Sequence, residues 1–120
     1  MELAFRKLGK GKPFIILHGM YGSSDNWFSA GRRLSEHFEM YLVDLRNHGN
    51  SPHHSVHTYE AMREDLYDFI MDHHLKPAIM MGHSMGGKTS MAFALKYPEL
   101  LEKIIVAVSY THLRAHETVL

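Results

Sequence analysis

A short glycine and serine motif in the second half of the chain constrains its fold more than any other feature. Residues 82–86 read G-x-S-x-G, with Ser84 at the centre, after an apolar run at 78–81 and before a helix-like stretch at 87–97. This order predicts a strand, a sharp turn and a helix, with Ser84 at the apex. We expect a strained backbone at Ser84, and glycine at 82 and 86 because a Cβ there would press on neighbouring elements.

This layout makes Ser84 a candidate nucleophile. A serine hydroxyl is a weak nucleophile, so it must project to a point that a base and a substrate carbonyl can both reach. The helix that begins near Met85 would direct its unpaired N–H groups and the positive end of its dipole toward a developing oxyanion.

Residues 82–89 also match a second pattern, the phosphate-binding loop G-x-x-x-x-G-K-[ST]. In that alternative, Lys88 and Thr89 would bind nucleotide phosphate and magnesium. Both motifs require a strand, a loop and a helix, so their local context does not separate them. A nucleotide-binding fold would place an acid at the end of a later strand, and the next apolar run, 104–108, ends without one.

A second loop upstream favours the serine motif. The apolar run 14–17 leads into the glycine-containing segment 18–24, which places a strand and a loop where an oxyanion-binding loop would be needed. A nucleotide site has no use for such a loop. We therefore prefer the nucleophilic serine and keep the nucleotide-binding loop as the alternative.

Three segments resemble the α/β-hydrolase superfamily, and in particular its small bacterial serine esterases. They are residues 18–27, 44–51 and 82–88, in the order found in the family. The resemblance runs from about residue 3 to about residue 107, the N-terminal half of such an enzyme. It implies an α/β fold: a doubly wound, mostly parallel sheet with helices on both faces, here truncated after the sixth strand of the family's sheet.

The resemblance also implies an activity and a set of roles. The expected reaction is hydrolysis of carboxylic esters or thioesters through an acyl-enzyme on Ser84, with the backbone N–H groups of Met20 and Met85 as the oxyanion hole. A serine here argues against the superfamily branches whose reactions use an Asp nucleophile. The residues expected to shape the two motifs are His18, Gly19, Gly82, His83 and Gly86.

The end of the chain departs from the family pattern. In the esterase subgroup the triad acid follows the sixth strand, where this chain has Val108, and the triad histidine lies in a later part. Residues 109–118 resemble translated sequencing-adaptor sequence. We expect residues 1–108 to be the N-terminal part of one hydrolase domain, 109–120 a non-native tail, and the chain an inactive fragment. An unpaired, apolar far edge on its last strand should then promote aggregation.

Composition excludes several kinds of partner. The 13 basic and 13 acidic side chains give a net charge of zero, without a basic block that would follow a phosphate backbone, so nucleic acid is not expected. The absence of cysteine excludes disulfides and thiolate chemistry. The first residues resemble neither a signal peptide nor a membrane span, so we expect a cytoplasmic protein with no membrane partner. The expected partner is a small acyl ester, with no cofactor; the oligomeric state is left open.

The hydrophobic pattern predicts alternating strands and helices, and hence a parallel sheet covered on both faces. A first helix should be capped by Ser24 or Asp25 and reach Phe38. Thr58 should cap a long helix whose acidic side, including Asp65, faces solvent. The expected strands lie at 3–8, 14–17, 40–43, 78–81 and 104–108.

Other polar residues have ordinary interpretations. His53, His54 and His57 lie in a polar loop without acids or cysteines at ligand spacing, so we expect solvated side chains and no metal site. Asp44 ends a strand but has no histidine obviously placed for it to orient. We expect Asp44 to anchor its loop through backbone groups or Arg46.

Overall fold

The computed structural model describes residues 1–108 and 116–119, and its centre is a six-stranded sheet. The strands are β1 (Phe5–Leu8), β2 (Lys12–Leu17), β3 (Phe38–Val43), β4 (Ala78–His83), β5 (Leu101–Val108) and β6 (His116–Val119). Their spatial order is β1-β3-β2-β4-β5-β6. The four central strands are parallel and the two edge strands are antiparallel. The predicted strand positions and the mostly parallel sheet are confirmed.

Helices cover both faces of the sheet. Helices α2 (Tyr59–Asp72) and α3 (Met85–Lys96) pack on one face, and α1 (Phe28–Leu34) packs on the other. The strand side chains alternate between the two cores, as a two-sided sheet requires. The first core includes Ile15, Leu17, Val43, Leu66, Met80 and Phe93. The second core includes Phe14, Ile16, Met40, Leu42 and Ile79.

The first helix begins earlier and ends sooner than the sequence pattern predicts. Its cap is Ser23, whose hydroxyl accepts from the Asp25 N–H, while the Asn26 side chain accepts from the Ser23 N–H. One turn of 3-10 helix, Ser24–Trp27, precedes α1. The prediction that Phe38 continues the helix is wrong, because Phe38 begins β3. A 3-10 turn has fewer residues per turn than an α-helix, so residues before and after it do not share the face that α-helical spacing predicts.

The second helix begins as predicted but buries one of its acids. The Thr58 hydroxyl accepts from the Ala61 N–H at 3.1 Å and caps α2. The expectation that Asp65 faces solvent is wrong: Asp65 is 3% exposed, and Arg46 donates to its two oxygens at 2.7 and 2.8 Å. The partner comes from the distant loop after β3, so helical periodicity alone could not identify it.

The far edge of β5 is paired in the structure. Residues of β6 form an antiparallel ladder with Ile105 to Val108. The expectation of an unpaired far edge on this strand is therefore wrong. The predicted foreign tail, residues 109–120, lies outside the described residues except for the backbone of β6. In the part of the chain that is described, no helix is both long enough and apolar enough to cross a membrane.

Candidate active site

Ser84 is the single residue between β4 and α3. Its backbone angles are φ 53° and ψ −111°, a region that non-glycine residues rarely adopt and that costs about 1–3 kcal/mol. The Ser84 N–H donates to the Ala107 carbonyl at 3.0 Å, and the Ser84 carbonyl accepts from the Lys88 N–H at 3.0 Å. The side chain is exposed. The predicted strand, tight turn and helix are present, with a strained serine between them.

Glycines allow this turn and bring it against the upstream loop. A Cβ on Gly82 would overlap the Gly86 carbonyl group. A Cβ on Gly86 would lie 2.6 Å from the His18 carbonyl oxygen, and one on Gly19 would lie 2.9 Å from the His83 ring. The loop after β2 therefore packs directly against the turn that carries Ser84.

Two backbone donors adjoin these close contacts. Met20 follows Gly19, and Met85 precedes Gly86 as the first residue of α3. Among the described residues, neither the Met20 N–H nor the Met85 N–H donates to a protein acceptor. The start of a helix leaves such N–H groups without intrahelical acceptors. Both residues lie where the loop after β2 packs against the turn that carries Ser84.

His18 is fixed in one neutral form. It is fully buried, its Nε2 accepts from the Leu45 N–H at 3.0 Å, and its Nδ1 lies 2.7 Å from the Gly19 carbonyl oxygen. Because Nε2 accepts, the ring proton must be on Nδ1, which donates to Gly19. Burial is the largest influence on the pKa of His18 and lowers it below the usual value. With both nitrogens engaged, His18 joins the loop after β2 to the loop after β3 and is not arranged to accept a proton.

Asp44 anchors the loop that follows β3. Its carboxylate accepts from the Ser24 N–H at 2.7 Å and from the Asn50 N–H at 3.1 Å, and it is 3% exposed. The expected bonds to backbone are confirmed. Of the two kinds of partner expected for Asp44, backbone groups are the ones present, and the Arg46 guanidinium pairs with Asp65.

The geometry does not support the nucleotide-binding alternative. A phosphate-binding loop needs several residues between strand and helix so that successive N–H groups can surround the phosphates, and only Ser84 lies there. Thr89 is fully buried, and its hydroxyl donates to the Met85 carbonyl at 2.9 Å, so it does not face a magnesium site. Lys88 projects from α3 and is exposed.

Two clefts lie along the loop after β2. The larger, about 470 Å³, is lined by Met20, Tyr21, Gly22, Asn47, His48, Gly49 and His57. The smaller, about 230 Å³, is lined by Gly19, Met20, Gly22, Asn26, Trp27 and His83. Ser84 lines neither cleft, but Met20 lines both.

Sequence reasoning missed several of these lining residues. His57 is exposed, as expected for its polar loop, but it also borders the larger cleft. His48 lies within segment 44–51, whose resemblance to the family was the available signal. Because no residue pattern links this segment to Tyr21, the contact between the two loops is visible only in the fold.

Ser84 has no catalytic partner among the described residues. Its side chain makes no hydrogen bond there. No group of three or more His, Asp or Glu side chains in the described part is arranged to hold a metal ion. The sequence positions considered for the triad acid, at and after Val108, fall where no side chain is described. Among the described residues, the turn thus presents an exposed serine without a hydrogen-bonded base.

Comparison with known proteins gives a consistent result. A family model described as the alpha/beta hydrolase fold matches residues 12–119. A solved structure of a marine microorganism esterase superimposes with a TM-score of 0.87 at 51% identity, covering 88% of this chain and 41% of that one. An esterase from Thermogutta terrifontis superimposes with a TM-score of 0.84 at 34% identity, covering 87% of this chain and 39% of that one.

Curated relatives have more than one activity in their names. A Saccharomyces cerevisiae protein named "Probable alcohol acetyltransferase" is 49% identical over 98 residues, which are 78% of this chain and 29% of the relative. The sn-1-specific diacylglycerol lipase ABHD11 of Danio rerio is 39% identical over 100 residues, 82% of this chain and 32% of that lipase. This chain thus spans about a third of the length of these relatives. Because the family model matches residues 12–119, most of the chain, the chain belongs to the α/β-hydrolase family.

Proposed function

We propose that Ser84 is the nucleophile of a serine hydrolase that acts on carboxylic esters or thioesters. The observation that carries this proposal is the strained turn at Ser84, with an exposed hydroxyl, packed against the loop that bears the Met20 N–H. Membership of a family whose relatives include esterases and a lipase supports it. No cofactor is required for this chemistry.

In the proposed reaction, Ser84 Oγ attacks the substrate carbonyl while its proton passes to a base. The carbonyl oxygen becomes an oxyanion that accepts from the Met20 and Met85 N–H groups, each worth about 10²–10³ in rate. Collapse breaks the bond to the leaving alcohol or thiol, which takes up the proton. Water then attacks the acyl-enzyme, releases the carboxylic acid and restores the Ser84 hydroxyl.

The base and its orienting acid are proposed to come from outside residues 1–108. On this account, residues 1–108 are the N-terminal part of one hydrolase domain, and 109–120 are a non-native tail. The uninterrupted reading frame downstream of Ala107 would test that division. The proposal expects an Asp and a later His there, and a frame that continues with the present tail would contradict it.

The 120-residue chain should show weak or no turnover of a short-chain p-nitrophenyl ester. The reason is that Ser84 Oγ has no hydrogen-bonded base among the described residues. Robust hydrolysis that disappears in Ser84→Ala would contradict the proposed inactivity, because it would require a base within this chain.

Acyl transfer to an alcohol is a second candidate, favoured by the acetyltransferases among the relatives. It shares the acyl-enzyme and differs only in whether water or an alcohol attacks it. The partition of acetyl groups between acetate and ethyl acetate, measured in increasing ethanol, separates the two. A fraction of ethyl acetate among the products that exceeds the mole fraction of ethanol in the water and ethanol mixture would support transfer.

The nucleophile can be tested in a complete enzyme. Residues 1–107 are joined to the remainder of the marine microorganism esterase, whose sequence is 51% identical over the matched part. We expect this hybrid to hydrolyse p-nitrophenyl acetate, and Ser84→Ala to lower kcat by at least about 10³. The matched control is Ser29→Ala, an exposed serine on α1. Activity that survives Ser84→Ala and disappears in Lys88→Ala would overturn the proposal.

A further inference from the structure

The loop after β2 contains a tight turn over residues 19–22. The Gly22 N–H donates to the Gly19 carbonyl at 3.1 Å, which closes the turn across Met20 and Tyr21. Tyr21 adopts φ 63°, a left-handed conformation that is unfavourable for an aromatic residue. The turn itself makes no use of the Tyr21 N–H.

The side chains of this turn do not anchor it. Met20 is 50% exposed and Tyr21 is 93% exposed. A loop with so little buried apolar surface is held mainly by its hydrogen bonds, and it opens easily if they are lost. The position of the Met20 N–H therefore depends on what the neighbouring backbone groups bind.

His48, from the loop after β3, supplies that contact. Its Nε2 accepts from the Tyr21 N–H at 3.1 Å, and its Nδ1 lies 2.9 Å from the Arg46 carbonyl oxygen. Because Nε2 accepts, Nδ1 carries the proton and donates to Arg46. One ring thus connects the backbones of two separate loops.

The connection is reciprocal. His18, in the first loop, accepts from the Leu45 N–H in the second, while His48, in the second loop, accepts from the Tyr21 N–H in the first. The two rings lie 5.0 Å apart between centroids. The ring of His57 lies 5.7 Å from that of His48 between centroids. The His48 ring thus has two histidine rings as neighbours.

We propose that His48 is a positioning residue that fixes the turn bearing the Met20 N–H. Its functional meaning rests on the proposed role of that N–H in the oxyanion hole. Loss of the His48 acceptor should release Tyr21 from its left-handed conformation and move the adjacent Met20 donor, leaving the buried His18 contacts in place.

Two substitutions separate the acceptor from the rest of the ring. In His48→Gln, the side-chain oxygen reaches about as far as Nε2 and can still accept from Tyr21. In His48→Asn, the shorter amide can still donate to the Arg46 carbonyl but does not reach Tyr21. His37→Asn is the matched control, because His37 is exposed and precedes β3 at the opposite end of the sheet.

The test is amide hydrogen exchange of the 120-residue chain, resolved at Tyr21 by NMR at one fixed pH for all variants. We expect Tyr21 exchange to be about 3- to 10-fold faster in His48→Asn and near wild type in His48→Gln and His37→Asn. Urea unfolding of each variant distinguishes a local change from global destabilisation. Equal Tyr21 exchange in the Asn variant and wild type, or equal acceleration in both His48 variants, would overturn the proposal.

A second readout concerns function and can fail separately. In the hybrid enzyme, His48→Asn should lower kcat about 10- to 100-fold with little change in KM, and His48→Gln should restore most of it. If the hybrid lacks activity dependent on Ser84, the proposed function fails, whereas the exchange result still decides whether His48 holds the turn. A fully active His48→Asn hybrid would show that His48 does not position the donor.

Discussion

At the scale of single residues, the site depends on backbone that ordinary side chains would not permit. Ser84 has φ 53°, and the glycines at 82 and 86 lie where a Cβ would meet main-chain atoms. Such strain persists only where the surrounding structure enforces it. Here the turn is held by the close contacts of Gly82 and Gly86 and by the bond from the Ser84 N–H to the Ala107 carbonyl of β5.

Gly86→Ala should be severely destabilising, by about 3 kcal/mol or more, because its Cβ would meet the carbonyl groups of Leu17 and His18, which cannot move independently of the sheet. The matched control is Gly31→Ala, whose Cβ would lie 3.0 Å from side-chain atoms of Leu42 and not against main-chain atoms. That change should stay within about 1 kcal/mol, since alanine also favours the helix. Urea unfolding measures both, and equal losses would contradict the assigned role of Gly86.

His18 should titrate below its ordinary pKa of 6.5, mainly because its ring is buried. Below about pH 6.5, His18 is protonated more readily in the unfolded chain than in the folded chain. The stability that neutral, buried His18 contributes is therefore complete above about pH 6.5 and is lost as the pH falls through the lowered pKa. An NMR titration of the His18 ring measures the value directly. A His18 pKa at or above 6.5 would contradict the neutral, doubly bonded ring.

The environment of a single residue can be predicted from the sequence when the residues it contacts are close to it along the chain. The strained serine and its glycines follow from a five-residue motif, because the turn itself imposes those requirements. The burial of Asp65 and the bond between His48 and Tyr21 join segments 19 and 27 residues apart. No periodicity encodes such contacts, so they become visible only in the folded chain.

At the scale of elements, the strands and long helices follow their hydrophobic patterns, and the errors lie at the ends. Thr58 caps α2 as expected because an N-cap hydroxyl has a local partner, the Ala61 N–H. The predicted first helix instead starts as a 3-10 turn capped by Ser23 and Asn26, one residue before the predicted cap, and α1 itself begins only at Phe28. Competing cap residues in consecutive positions cannot be ranked from local sequence alone.

The pairing of Arg46 with Asp65 should stabilise the contact between α2 and the loop after β3. Their side chains are only 9% and 5% exposed, and Arg46 also donates to the Val56 carbonyl at 2.9 Å. Asp65→Ala leaves a buried guanidinium without its counter-ion, so we expect a loss of about 3–5 kcal/mol in the free energy of unfolding.

The control for that experiment is the exposed pair of Lys12 and Glu102, at 2.7 Å with side chains 64% and 39% exposed. Glu102→Ala should cost no more than about 1 kcal/mol. If both substitutions prove equally mild in urea unfolding, the Arg46 and Asp65 pair does not hold α2 to the loop.

At the scale of the whole molecule, the sheet has parallel strands at its centre and antiparallel strands at both edges. The strand β6 pairs with β5 and covers an edge that would otherwise present unpaired backbone groups. An open edge of this kind is a template for association with other chains. The general architecture was predictable from alternating elements, whereas the closing of this edge was not.

Removing residues 109–120 should increase self-association, because it exposes the backbone of β5 along the ladder now formed with β6. Size-exclusion chromatography with light scattering, at several protein concentrations, compares the full chain with the shortened one. An equally monomeric and equally stable shortened chain would show that β6 does not protect this edge.

The central claim is that Ser84 forms the acyl-enzyme, and identification of the acylated residue tests it most directly. The hybrid enzyme is mixed with p-nitrophenyl acetate, quenched in acid during turnover, digested and analysed by mass spectrometry. The account predicts an acetyl group on Ser84 and none there in Ser84→Ala. An acyl group carried by another residue at full rate, or turnover without any acylated serine, would contradict it.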